Sequence, residues 1–113
     1  MNVLAILKNI NIQIDILLRD GKVFKKTTTT PLVLNYKIRS YVITGVCDIA
    51  LQDPTTTYLI GRPFVIANMT ASTLNFTGYA VRKDSTTTVT TIAATTPNNR
   101  MTIMTDGTAW FQI

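Results

Sequence analysis

Six aspartates are the only acidic side chains of this chain, which has neither glutamate nor histidine. The usual general base near neutral pH and the commonest zinc ligand are therefore both missing. Asp48 and Asp53 could approach across a loop and hold calcium, but none of the aspartates stands in a metal-loop spacing, and the reading taken is of ordinary solvated loop carboxylates. Serine and threonine abound, yet a hydroxyl nucleophile needs a base within hydrogen-bond reach, and only Lys or Asp could serve. Lys83 and Ser85 share one turn, where solvation at the surface is expected. The five glycines are isolated turn residues, so no phosphate-cradling loop is present. The single Cys47 lies in the apolar stretch "YVITGVCDIAL" and is expected to be a buried small hydrophobe. The expectation is a protein that is not an enzyme, with no catalytic residue, no metal and no cofactor.

Charge narrows the partners. The net charge is +5 and the pI about 9.7, but the basic residues are scattered, with only Lys25-Lys26 and Arg82-Lys83 adjacent. No basic stripe with interleaved aromatics appears, so nucleic acid is not expected as a partner. The N-terminal "MNVLAILKNINIQIDILL" is broken by Lys8 and Asp15. It falls short of the roughly 18 apolar residues of a membrane span and lacks the basic start of a signal peptide, so no membrane insertion is expected. Asn68-Met69-Thr70 and Asn75-Phe76-Thr77 match the glycosylation sequon, as chance allows in so Thr-rich a chain.

The elements that would carry these residues are strands. At 113 residues the chain suits one ordinary domain, and 46% apolar residues are enough for a core. Charged residues make up only 15%, and threonine runs at Thr27–Thr30, Thr55–Thr57 and Thr86–Thr88 take their place. Threonine is β-branched and suits a pleated, half-exposed surface. "NINIQIDI" alternates strictly, with Ile10, Ile12, Ile14 and Ile16 on one face. That period predicts a strand, although Ile6, Ile10, Ile14 and Leu17 would also share a helical stripe. Asp20-Gly21 then reads as a hairpin turn, with Val23-Phe24 opening the return strand and Pro31 marking either a connection or a sheet edge. A hairpin alone cannot bury its apolar face, so residues 1–35 are expected to serve attachment or oligomerisation through the isoleucine row.

Beyond it, "LVLNYKI", "SYVITGVCDIAL", "RPFVIANM", "STLNFTGYAV", "TVTTIAA" and "RMTIMT" are short β-favouring runs. Turn chemistry at Gly45, Asp53-Pro54, Gly61, Gly78, Lys83–Ser85, Pro97–Asn99 and Asp106-Gly107 separates them. This spacing predicts a compact antiparallel β-sandwich or barrel-like module over residues 36–113, preceded by the N-terminal β-hairpin.

Residues 41–113 also resemble the small β-structured modules at the ends of tailed-phage fibre, head-fibre and related virion proteins. The matching positions are Gly61, Phe64, Val65, Ile66 and Asn68, then Ile103 and the closing motif Asp106, Gly107, Thr108, Trp110 and Ile113. Gln52 stands where such modules often have proline, and the first 40 residues have no counterpart. The resemblance implies a structural virion protein of a bacteriophage, in a head fibre, spike, capsid decoration or tail. It further implies a homo-oligomer, a trimer in the fibre case, with other virion proteins as partners. On the last strand, Trp110 and Gln112 would face one side and Phe111 and Ile113 the other, one side packing into the core and the second meeting a neighbour.

A carbohydrate-binding or receptor-recognition module is the alternative. Tyr36, Tyr41, Tyr58, Tyr79 and Trp110 are the aromatics that could stack on a host surface glycan. Isolated tyrosines on strands more often belong to cores or interfaces, so no site is assigned among them.

Overall fold

Alternating apolar residues in the shortest runs already separate the chain into two layers. β1 (Val23–Lys26) lies in one sheet and β2 (Leu32–Val33) in another, joined by the Thr27–Thr30 crossover. The computed structural model of the chain describes residues 23–96 and 98–113, together with Val3, Leu4, Ile6 and Lys8, whose backbone is helical. The alternation from Asn9 to Ile16, with Ile10, Ile12, Ile14 and Ile16, lies outside the described residues, as do Asp20-Gly21 and the hairpin expected there.

All named elements are strands. β3 (Ser40–Ile43), β5 (Phe64–Asn68), β7 (Val81–Arg82), β8 (Thr88–Val89), β10 (Arg100–Thr105) and β11 (Trp110–Gln112) join β1 in the order β1-β3-β5-β10-β11-β7-β8. β4 (Ile49–Ala50), β6 (Leu74–Thr77) and β9 (Thr91–Ile92) join β2 in the order β2-β4-β6-β9. The all-β, two-sheet class is as the sequence predicts.

The pairing is not antiparallel throughout. β1, β3 and β5 run parallel to one another, and so do β2, β4 and β6. The cause is the crossover pattern: from β1 to β6 successive strands alternate between sheets, so the chain returns to each sheet in the same direction after a full turn. The same sequence shift separates Val23 from Ser40 and Leu32 from Ile49, so the first two turns stack in register. The next turn is lengthened by the loop at residues 51–63. Antiparallel pairing is confined to the later strands: β7 with β8, β6 with β9, β10 with β5 and β11 with β10. Strands on either side of position 35 share both sheets, β1 with β3 and β2 with β4.

Inward residues of the two sheets make one core. Tyr41, Ile43, Phe64, Ile66, Val81, Ile103 and Trp110 meet Leu32, Leu34, Ile49, Leu74 and Ile92. Aromatic rings run across the larger sheet in an unbroken line. Phe24 and Tyr41 are 6.0 Å apart between centroids, Tyr41 and Phe64 6.3 Å, and Phe64 and Trp110 6.0 Å. Tyr41, Phe64 and Trp110 are buried, and a buried aromatic side chain removes some 150–250 Å² from water, so this line supplies a large share of the hydrophobic driving force.

Two corners need glycine because turns stack tightly there. A Cβ at Gly45 would lie 2.5 Å from the Thr27 carbonyl oxygen, in the corner where Thr44 and Gly45 both donate to the Lys26 carbonyl. Gly78 has φ +88, and a Cβ there would meet the Leu51 carbonyl oxygen at 2.7 Å.

Candidate functional site

Four tight turns share one chemistry, an Asx residue followed two positions later by threonine. The Asp53 carboxylate accepts from Thr55 N–H and hydroxyl, Asn68 Oδ1 from those of Thr70, Asp84 from those of Thr86, and Asp106 from those of Thr108. Such a side chain replaces the backbone turn bond and fixes the loop. These donors lower the pKa of the three carboxylates. Thr108 holds Asp106 at about 2, chiefly through its hydroxyl, while Asp53 and Asp84 are lowered by Thr55 and by Thr86 and Thr87. The sequon reading of Asn68 gives way here: the residue is 1% exposed, and its Nδ2 donates to the Ser72 and Ile92 carbonyls. The recurrent Asx-x-Thr spacing is a sequence signal for these turns that a search for catalytic motifs passes over.

A further Asx turn, with Lys37 in the place of threonine, builds a groove. After β2, Asn35 Oδ1 accepts from Lys37 N–H at 2.9 Å, and Tyr36 between them is half-buried against the core, with Lys37 Nζ 5.9 Å from its ring centroid. The Tyr41 hydroxyl holds this corner from below, accepting from Asn35 N–H at 2.7 Å and donating to the Asn35 carbonyl at 3.0 Å. Opposite stands the loop from Gln52 to Leu59. Leu59 is buried as its anchor, and Tyr58 is 43% exposed. The Tyr36 and Tyr58 rings lie 5.6 Å apart, inclined by 34°. Val33, Leu34, Asn35, Gln52, Thr56 and Leu59 complete a groove of about 380 Å³.

Trp110 of the closing motif and Thr105 just before that motif hold the far wall of this groove. Trp110 Nε1 donates to the Gln52 carbonyl at 2.8 Å, and the Thr105 hydroxyl to the Pro54 carbonyl at 2.6 Å. Gly61 N–H donates to the Thr105 carbonyl at 2.9 Å. Gly107 N–H donates to the Thr105 hydroxyl, and the Asp106–Thr108 turn brings Trp110 back into the core. Ile113 takes no part in this clamp. It is 62% exposed, while its N–H donates to the Thr102 carbonyl. Trp110 thus faces inward and Ile113 outward, as the alternation along β11 requires.

The other residues that could do chemistry are dispersed. Cys47 is buried, and desolvation raises its thiol pKa. Lys83 and Ser85 are exposed on the β7–β8 turn. Among the described residues, no group of three or more His, Cys, Asp or Glu could hold a metal ion. No helix among them is long and apolar enough to cross a membrane.

Of the aromatics proposed for glycan stacking, Tyr41 and Trp110 are core residues, Tyr79 is exposed, and only Tyr36 and Tyr58 share a groove. Comparison of the chain with family models, with curated proteins and with solved structures finds no match in any of the three.

Proposed function

We propose that this chain is a non-enzymatic structural subunit of a phage particle, in a head fibre, spike, capsid decoration or tail. It assembles with its own copies, and with other virion proteins, through the end of the fold formed by β1 and β2. One observation carries this reading: both sheets stop at the same end, with β1 and β2 each paired on one side only among the described residues.

A strand edge presents unpaired N–H and C=O groups and invites another strand. Here two such edges lie side by side, and Val23, Phe24 and Val33 are exposed between and beside them. A hollow of about 250 Å³, lined by Phe24, Pro31, Leu32, Val33, Ile38 and Tyr41 among others, opens at the same end. Lys25 and Lys26 on β1 guard this edge against indiscriminate pairing, so it favours a partner of matched shape and charge. The isoleucine row at Ile10, Ile12, Ile14 and Ile16 precedes β1 in the chain and belongs to the same attachment segment, residues 1–35. The trimer and the virion location follow from the resemblance of residues 41–113.

The native mass of the purified chain, measured by light scattering at low and high salt, tests the reading. An oligomer that resists salt and that Val23→Asp combined with Phe24→Asp reduces to a folded monomer is the expected result. A wild-type monomer, or an oligomer untouched by the two substitutions, would overturn it.

A further inference from the structure

We infer that the groove between Tyr36 and Tyr58 binds a neutral pyranose ring of a glycan. This inference rests on its own pair of segments, 33–36 and 52–59, which meet the assembly end at Val33 and Asn35.

The lining residues include no Asp, Glu, Lys or Arg. The lining offers a charged ligand no ionic partner, and the nearby Lys37 ammonium already lies over the Tyr36 ring, so an uncharged occupant fits best. Tyr36 and Tyr58 form an inclined aromatic platform, and Lys37 over the Tyr36 ring supports one side of it. A pyranose offers a flat patch of C–H groups to such a platform and a rim of hydroxyls around it. Hydroxyls need donors and acceptors, and the groove has them. Among the described residues, the Asn35 Nδ2, the Gln52 side-chain amide and the Thr56 hydroxyl have no hydrogen-bond partner within the protein. An apolar floor with a few convergent polar groups is the ordinary composition of a small-ligand site, and about 380 Å³ lies at the lower end of its usual size.

The groove is also held in place. The Trp110, Thr105 and Gly61 bonds fix the wall bearing Tyr58, and Tyr41 fixes the corner bearing Tyr36. Binding therefore orders little new chain, which keeps the entropic cost low.

The test is a titration of the full chain with the methyl glycosides of glucose, galactose and N-acetylglucosamine, followed by NMR of aromatic and side-chain amide signals. Concentrations run to about 0.1 M, past the millimolar range expected for one small contact patch. The expected result with at least one of these sugars is a saturable shift of the Tyr36, Tyr58 and Gln52 signals while Tyr79, equally exposed, stays still. Tyr58→Ala should weaken binding about tenfold, as loss of an aromatic platform does for stacked bases, and Tyr58→Phe should restore it. Overturning results are no saturable shift with any of the three sugars, unchanged binding by Tyr58→Ala, or the same shift at Tyr79. A shift of the groove signals with protein concentration alone, without sugar, would instead assign the groove to a second copy of the chain and also overturn the proposal.

Discussion

The indole N–H of Trp110, on the last strand, donates to the main-chain carbonyl of Gln52 at 2.8 Å. The same ring ends the aromatic line that begins at Phe24 on β1, an edge strand of the larger sheet among the described residues. One residue therefore ties the closing strand to the core and to the loop that carries Tyr58. The two sites proposed above meet at Val33 and Asn35, which line both the open end and the groove.

Trp110→Phe keeps most of the apolar bulk and removes the donor. The Gln52 carbonyl then loses its partner in a part-buried setting, which costs about 1–3 kcal/mol. Denaturant unfolding should show that loss, and amide exchange should rise first in residues 53–61. Equal acceleration of exchange throughout the chain would mean that Trp110 acts only as core volume.

Thr105 separates a hydrogen-bonding role from a packing role. It is fully buried at the end of β10, and its hydroxyl both donates to the Pro54 carbonyl and accepts from Gly107 N–H. Thr105→Val preserves shape and strands both groups, so a loss of about 1–3 kcal/mol is expected. Thr105→Ser retains the hydroxyl and should lose about 1 kcal/mol or less, from the missing methyl alone. A serine variant as unstable as the valine variant would contradict the role given to the hydroxyl.

Asp106 makes stability depend on acid. Its pKa falls from the ordinary 3.8 to about 2, first through the Thr108 hydroxyl and then through the Thr108 and Ala109 N–H groups. A carboxyl depressed on folding contributes stability that is present above its unfolded value and is lost as pH falls through the folded one. The wild-type urea midpoint should thus decline between about pH 4 and pH 2. Asp106→Asn keeps an acceptor oxygen at the turn and should flatten part of that decline. Asp53 and Asp84, shifted in the same direction, account for the slope that remains. Parallel pH profiles for the two proteins would remove Asp106 from this account.

The sequence conveys strand positions better than strand partners. "SYVITGVCDIAL" and "RMTIMT" alternate clearly and become β3, β4 and β10 with inward Tyr41, Ile43, Ile49, Met101 and Ile103. Parallel stacking is not legible, because the partners differ in type: Phe24 lies beside Tyr41 and Tyr41 beside Ile66. Unlike residues at a spacing that the loop at residues 51–63 changes leave no repeat to find. The closing motif was visible as residue types, but the bond of its Trp110 to Gln52, and those of the preceding Thr105 to Pro54 and Gly61, join segments far apart in the chain. Likewise, nothing local marks Tyr36 and Tyr58 as neighbours while Tyr41 and Trp110 turn inward. That division depends on which face of each strand meets the second sheet.

The glycines rank by what surrounds them. Gly61 has φ +73 with nothing within 4 Å of a would-be Cβ, so Gly61→Ala bears only the left-handed backbone penalty of about 1–2 kcal/mol. Gly78 adds an obstacle to its φ of +88, the Leu51 carbonyl oxygen at 2.7 Å, which belongs to backbone and cannot swing aside. Gly78→Ala must therefore push the 77–78 corner off the turn that begins at Leu51, whose N–H donates to the Thr77 carbonyl. The expected order of stability in thermal or denaturant unfolding is wild type, then Gly61→Ala, then Gly78→Ala. Asparagine tolerates the left-handed region, so Gly61→Asn should recover part of the loss at Gly61 while Gly78→Asn recovers little. If Asn rescued both positions equally, the close approach at Gly78 would carry no weight, and the stacking of successive turns at that corner would be looser than the packing of Leu51 against Gly78 requires.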